Sequence, residues 1–427
     1  MQGVNPVITL VEARNFRCLR YISQPLSRFH VLVGPNASGK TTFLDVIGFL
    51  GKLVSDGLEA ALTDRTHDFR DLIWGRPENG GQFELAFEAR IPDEIRAKLS
   101  QAAKRYDTVR YAVRIGLVEE SRAPGILEES VRLKEATAAS TPRQRTLFPE
   151  THVPPSESLL IRRGKGRAIM TKKGRDDHFY SEANPKPGKG WIPSFTLGPY
   201  KSALANFPAD ESRFPVAVWL NHFLTEDIQR FVLNSLLIRQ SSPPSHIRGF
   251  RMDGSNLPWV VAALRENSPE RHSSWIAHLA TVLPDLKDVE VLHREDDKSA
   301  YLCLRYPGVS VPSWVASDGT LRLLALTLPA YLVDQTAIYL IEEPENGIHP
   351  RAVEAVVQSL SSVYRGQVLL ATHSPAILAS VELANVLCFA KTKDGATDIV
   401  SGDQHPKLRK WRGETDLGTL FAAGVLG

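Results

Sequence analysis

The sequence predicts an α/β fold: a parallel sheet with helices on its faces, an antiparallel β subdomain near the N-terminus and a helical lobe. Three observations predict it. Phe29 to Val33 is a short apolar run that breaks at Gly34 and resumes as a helical pattern from Thr41 to Leu50. From Leu321 to Ala390 helical and buried-strand patterns alternate, as in a parallel sheet whose ligand sits at the carboxyl ends of its strands. Between Val7 and Leu133 several runs alternate apolar and polar residues, the signature of half-buried antiparallel strands.

In chain order, Val7 to Ala13 and Phe16 to Ile22 read as paired strands. The strand and helix around Gly34 follow, and the helix runs on past Leu53. Thr63 to Gly81 is polar and irregular. Gln82 to Ile91, Tyr106 to Val118 and Ile126 to Leu133 read as further strands of the first sheet. From Glu135 to about Gly190 Pro, Gly, Ser, Lys and Arg dominate, which reads as an insert bearing a hairpin around Ala168 to Met170, with Leu159 to Ile161 a second short strand. Phe214 to Phe223 is an amphipathic helix, and Arg230 to Ile238 fits strand or helix. Leu257 to Leu264 and Ser273 to Leu283 read as helices, Val289 to His293 and Ala300 to Tyr306 as paired strands. Leu321 to Leu332 and Pro350 to Tyr364 are helical, and Ala337 to Ile341, Gln367 to Ala371 and Val386 to Ala390 are buried strands. The organisation expected is one composite domain: 1–134 an N-terminal lobe, 135–190 the basic insert, 191–315 a helical and β middle lobe, 316–427 a C-terminal lobe.

A chain of 427 residues has room for two or three cores or one large composite domain. Hydrophobic residues make up 43% and charged residues 23%, as in soluble globular proteins. No apolar run is long enough to span a bilayer and the first residues lack a signal-peptide layout, so the expected location is cytoplasmic, with no membrane partner. Cys18, Cys303 and Cys388 lie far apart in apolar stretches and read as buried thiols. A net charge of +3 requires any nucleic-acid surface to be local.

Gly34-Pro35-Asn36-Ala37-Ser38-Gly39-Lys40-Thr41-Thr42 fits GxxxxGK[ST] between a strand and a helix, the loop that holds a nucleotide phosphate chain. The two glycines let successive backbone N–H groups turn inward, and the helix N-terminus adds partial positive charge. Lys40 then reaches the β- and γ-phosphates and the Thr41 hydroxyl ligates Mg²⁺. Ile338 to Ile341 is a buried strand ending in Glu342 and Glu343. In a phosphate-loop protein the first acid belongs to the Mg²⁺ shell and the second beside the attacking water. His373 leaves the next strand at the same sheet edge and suits a contact with the γ-phosphate or its water. Ser317-Asp318-Gly319 opens an apolar helix; Ser317 or Asp318 serves as N-cap, or the helix start meets a second phosphate.

Together these motifs resemble the ABC-type ATPases of the SMC, RecF and OLD group. Asn36 in the third position of the phosphate loop, Ser317-Asp318-Gly319 as a variant signature, Glu342-Glu343-Pro344-Glu345-Asn346-Gly347-Ile348-His349-Pro350 as acidic motif and D-loop, and His373 as switch histidine carry the resemblance, with Gly254-Ser255-Asn256-Leu257 beside them. The nonapeptide is the most specific piece and resembles stand-alone OLD-like ATPases of bacterial anti-phage systems. The resemblance implies an ABC-type ATPase head that binds ATP and Mg²⁺, with Glu343, His373 and Lys40 catalytic. It also implies an ATP-dependent homodimer or higher oligomer in which the signature contacts ATP on the opposite protomer. About fifty residues follow His373, too few for the Toprim nuclease domain of OLD nucleases. The resemblance therefore points to a separate effector, expected to be a nuclease. A RecF-like DNA-binding ATPase of DNA repair is the alternative; a transporter subunit fits poorly. Gln82 is the one candidate for the Q-loop. Arg162, Arg163, Lys165, Arg167, Lys172, Lys173 and Arg175 occur with no acid among them, which makes the insert a candidate contact for DNA or RNA.

Overall fold

The computed structural model describes residues 7–136, 145–160, 166–174, 176–183, 191–244, 249–332, 337–408, 417–422 and 424. In chain order the first strands are β1 (Ile8–Phe16), β2 (Leu19–Pro25), β3 (Phe29–Val33), β4 (Gln82–Arg90), β5 (Thr108–Leu117), β6 (Pro124–Lys134), β7 (Gly166–Lys173), β8 (Asp176–Tyr180) and β9 (Trp191–Phe195). All but β3 form one eight-stranded sheet in the order β2-β1-β4-β5-β6-β7-β8-β9, and each neighbour pair is antiparallel. The segment read as an insert therefore contributes two strands, β7 and β8, to the N-terminal sheet, and β9 follows directly after it. Leu159 and Leu160 form no strand; they are buried against Ala86 and Ala112 on the sheet.

The later strands are β10 (Ile228–Phe231), β11 (Asp288–His293), β12 (Ala300–Tyr306), β13 (Val309–Pro312), β14 (Ile338–Glu342), β15 (Gln367–Ala371), β16 (Val386–Lys391) and β17 (Thr397–Ser401). The second sheet has the order β10-β14-β15-β3-β16-β17, parallel except for the β16–β17 hairpin. The ambiguous run from Arg230 resolves into both options: β10, then a short helix Ser235–Arg239. The strands β11, β12 and β13 make a third, small antiparallel sheet.

Strand side chains alternate between faces. In the parallel sheet Leu32, Ile338, Leu340, Leu369 and Leu387 enter one core, and Val31, Val33, Tyr339, Ile341, Leu370 and Cys388 enter another. Covering both faces is what a parallel sheet requires, because its strands are apolar throughout. The first core holds the helix Lys40–Ser55 between the two large sheets: Phe43, Val46, Ile47, Phe49, Leu50 and Leu53 are buried with Phe16, Phe83 and Phe87. The Phe49 ring packs on Phe16 and Phe83 at 5.9 and 5.6 Å. The second core holds the helices Leu257–Asn267, Pro269–Ala280, Asp318–Thr327 and Pro350–Ser361.

One side chain ties the sheets across the length of the chain. The Gln367 amide donates to the carbonyls of Ile8 (2.8 Å) and Ser27 (2.7 Å), and its oxygen accepts the Ile8 N–H at 2.9 Å. Cys303 and Cys388 are buried free thiols, and Cys18 is partly buried. Among the described residues no helix is long and apolar enough to cross a membrane.

Candidate functional site

β3 ends at Val33, and the loop to the helix is shaped by two glycines. Gly34 has φ +151°, and a Cβ there would stand 2.2 Å from the Phe389 carbonyl on β16. Gly39 has φ +107°, and a Cβ there would stand 2.3 Å from the Thr397 hydroxyl on β17. No other residue lets the loop lie this close to the sheet. Gly39 is the N-cap, so no side chain caps the helix that begins at Lys40. Its first N–H groups are available to an anion. The Ser38 hydroxyl beside them is buried and has no hydrogen-bond partner. An uncapped helix start with an orphaned buried hydroxyl is the donor set that suits a phosphate chain.

Lys40 is buried and donates to the carbonyls of Gly34 (2.9 Å) and Pro35 (3.1 Å) and to His373 Nε2 (2.9 Å). Burial pulls its pKa down, against the attraction of Glu343 and Glu342. His373 accepts from an ammonium through Nε2 and is therefore neutral; burial and then Lys40 hold its pKa below the usual histidine value. The Thr41 hydroxyl donates to Glu342 Oε2 at 2.5 Å, which brings the two expected Mg²⁺ ligands into direct contact. Magnesium commonly takes one or two protein oxygens and completes its shell with phosphate and water, so this pair fits it. Thr41 and Glu342 would hold the ion, which supplies charge neutralisation for the phosphates.

Glu343 follows with φ +46°, a left-handed conformation that costs a non-glycine residue on the order of 1–3 kcal/mol. Its N–H bonds to the Ala371 carbonyl at 2.8 Å, and its carboxylate lies 3.7 Å from His373 Nε2. Burial, then the charge of Glu345 and a hydrogen bond to it, push the Glu343 pKa up to about 7. Glu345 also accepts from the Thr372 hydroxyl and from the His373 N–H at 3.3 Å, so it fixes the backbone that carries the histidine.

A family model described as "AAA domain, putative AbiEii toxin, Type IV TA system" matches residues 29–162 and 171–379. The chain belongs to this family. The matched residues include the phosphate loop, the paired acids and His373. The fold is similar to a solved SMC head bound to the C-winged helix domain of ScpA, with a TM-score of 0.54 and 13% identity over 93% of this chain and 98% of that one. It is also similar to the SMC head domain with an extended coiled coil bound to the C-terminal domain of ScpA from Pyrococcus furiosus, with a TM-score of 0.51 and 13% identity over 93% of this chain and 96% of that one. The family is that of an AAA domain, which supports a nucleotide-binding ATPase, and the fold is that of an SMC-type head.

The other residues singled out in the sequence fall less evenly in this AAA-family chain. Ser317 is the N-cap of the helix Asp318–Thr327 and accepts from the Thr320 N–H at 3.1 Å. Asp318 pairs with Arg239 at 2.6 Å. A Cβ on Gly319 would stand 2.7 Å from the Gly347 carbonyl, so the start of this helix lies on the loop that follows Glu343. Among the described residues no hydrogen bond joins Ser317, Asp318 or Gly319 to the phosphate loop. Asn256 of the GSNL motif is buried and clamps its own turn, accepting from the Arg251 N–H and donating to the Gly249 carbonyl. Gln82 is exposed at the start of β4.

The basic run needs correcting at Lys172. That side chain is fully buried and paired with Asp177 at 2.8 Å, so it cannot meet a phosphate. Arg167 donates to the Ser181 carbonyl at 2.5 Å, and Lys173 is exposed. Arg162, Arg163, Lys165 and Arg175 lie outside the described residues.

Two residues were missed. Glu345 lies inside the acidic motif, and only the fold shows that it holds Thr372 and the His373 N–H. Arg230, at the edge of the parallel sheet, donates to Glu342 Oε1 at 2.7 Å. A lone arginine ahead of an apolar run carries no local signal; only the pairing of β10 with β14 brings it to the acids.

Proposed function

We propose that this chain hydrolyses Mg-ATP and, closing around it as a dimer, regulates a separate effector in bacterial anti-phage defence. The observation that carries the catalytic part is the convergence of Lys40, Thr41, Glu342, Glu343 and His373 at the carboxyl ends of β3, β14 and β15. In this reading Lys40 and the helix-start N–H groups bind the phosphates. Glu343 accepts the proton of the attacking water, and Glu345 holds His373 in line with it. The OLD-like nonapeptide at Glu342 supports the defence part, as does a family whose description names a toxin of a toxin–antitoxin system. The effector is expected to be a nuclease.

Equilibrium titration with a fluorescent ATP analogue tests the site. Lys40→Ala removes a point charge that no backbone N–H replaces and should abolish tight binding; unchanged affinity sinks the assignment. Glu343→Gln should bind ATP and turn it over roughly a hundredfold or more slowly. Co-purification with the products of neighbouring genes tests the role: a nuclease in the complex supports defence, whereas a homodimer that prefers gapped DNA supports the repair alternative.

A further inference from the structure

Both oxygens of Glu342 are occupied by protein donors. Oε2 takes the Thr41 hydroxyl and Oε1 takes the Arg230 guanidinium, at 2.5 and 2.7 Å. The arrangement is built into the sheet. β10 runs parallel to β14 with Arg230 opposite Leu340, so the arginine needs to reach only two residues forward to meet the acid. The strand is braced behind. A π-helical turn, Phe223–Asp227, leads into β10, and its Leu224 carbonyl lies 3.0 Å from where a Cβ on Gly51 would stand, on the phosphate-loop helix. The Arg230 side chain keeps 43% of its surface exposed, so the guanidinium has room to turn.

We infer that Arg230 is a placeholder cation: it neutralises Glu342 and competes with Mg²⁺ for that carboxylate, so it sets the Mg²⁺ concentration at which nucleotide binds. The inference rests on the nucleotide-site reading above. A divalent ion held by Thr41 and Glu342 would draw on the same carboxylate charge that Arg230 neutralises, and its own charge would repel the guanidinium. The released guanidinium carries five donors suited to phosphate oxygens. Without Arg230 the carboxylate has no cation to give up, and Mg²⁺ binds at lower concentration.

The test titrates MgCl₂ into protein and trinitrophenyl-ATP, following fluorescence. Arg230→Gln should lower the half-saturating Mg²⁺ concentration about five- to tenfold, a range set by a charge-assisted hydrogen bond weakened by partial exposure. Arg230→Lys, which keeps the charge and loses the fork, should fall between. In a Glu342→Gln background Arg230→Gln should have no effect on the midpoint, because the shared carboxylate is gone. Circular dichroism melts establish that each variant is folded. A midpoint unchanged or raised by Arg230→Gln overturns the placeholder role while leaving the nucleotide site standing. Failure of the parent to bind the analogue at any Mg²⁺ concentration overturns both.

Discussion

Glu182 shows how far a single residue can couple this fold to pH. Its carboxylate is fully buried and accepts the N–H groups of Val216 (2.6 Å) and Ala217 (3.0 Å) at the start of the helix Pro215–His222. Burial outweighs those hydrogen bonds and pushes its pKa up to about 8. An unfolded carboxyl ionises near its ordinary value, roughly 4.3. Between there and about 8 the folded chain binds the extra proton, so this group makes stability fall as pH rises through that window. Denaturant midpoints should drop from pH 5 to pH 8.5, and Glu182→Gln should remove part of that slope and be the more stable form at pH 8.5. Parallel slopes in parent and variant would refute the linkage. A charged residue at a buried position is also why the segment of β7 and β8 reads as a basic insert in the sequence. Lys172 counts among the cations of the basic run, and only its pairing with Asp177 shows that it lies inside.

At the scale of elements, the helix Asp318–Thr327 and the loop after Glu343 share one contact that permits a sharp test. Gly319→Ala would drive a methyl group into the Gly347 carbonyl, 2.7 Å away. Overpacking of this kind costs about 1–3 kcal/mol. The variant should melt several degrees lower and turn ATP over more slowly, since Gly347 lies four residues from Glu343, yet keep its nucleotide affinity. Loss of affinity in step with turnover would mean that the helix start supports the phosphate loop directly. The phosphate loop, the acidic strand and His373 were legible in sequence because each is a local pattern: an apolar strand, then a polar residue fixed by position. Arg230 was not, since β10 and β14 are neighbours only after folding. The short strands β13 and β17 were also missed, as edge hairpin arms with little apolar run of their own.

At the scale of the whole molecule, Ser317 stands at an exposed helix start flanked by large apolar side chains. Trp314 and Val315 precede it, 52% and 65% exposed. If this face meets ATP on a second protomer, Glu343→Gln should accumulate as an ATP-dependent dimer, and adding Ser317→Arg should leave a monomer that still binds ATP. Light scattering with and without Mg-ATP distinguishes the two; a mass that never depends on ATP would break the trans-signature model. The position of β3 has a further consequence, for biosynthesis. This strand carries the phosphate loop, yet both its neighbours, β15 and β16, come from the last part of the chain. A ribosome that has released the loop must translate more than three hundred further residues before Gln367 can lock Ile8 and Ser27 in place. Until then β3 has no parallel partner, and sheet closures over so long a stretch of chain are the kind that form slowly. A copy that stops before β15 and β16 holds every residue of the loop but lacks both strands that flank it.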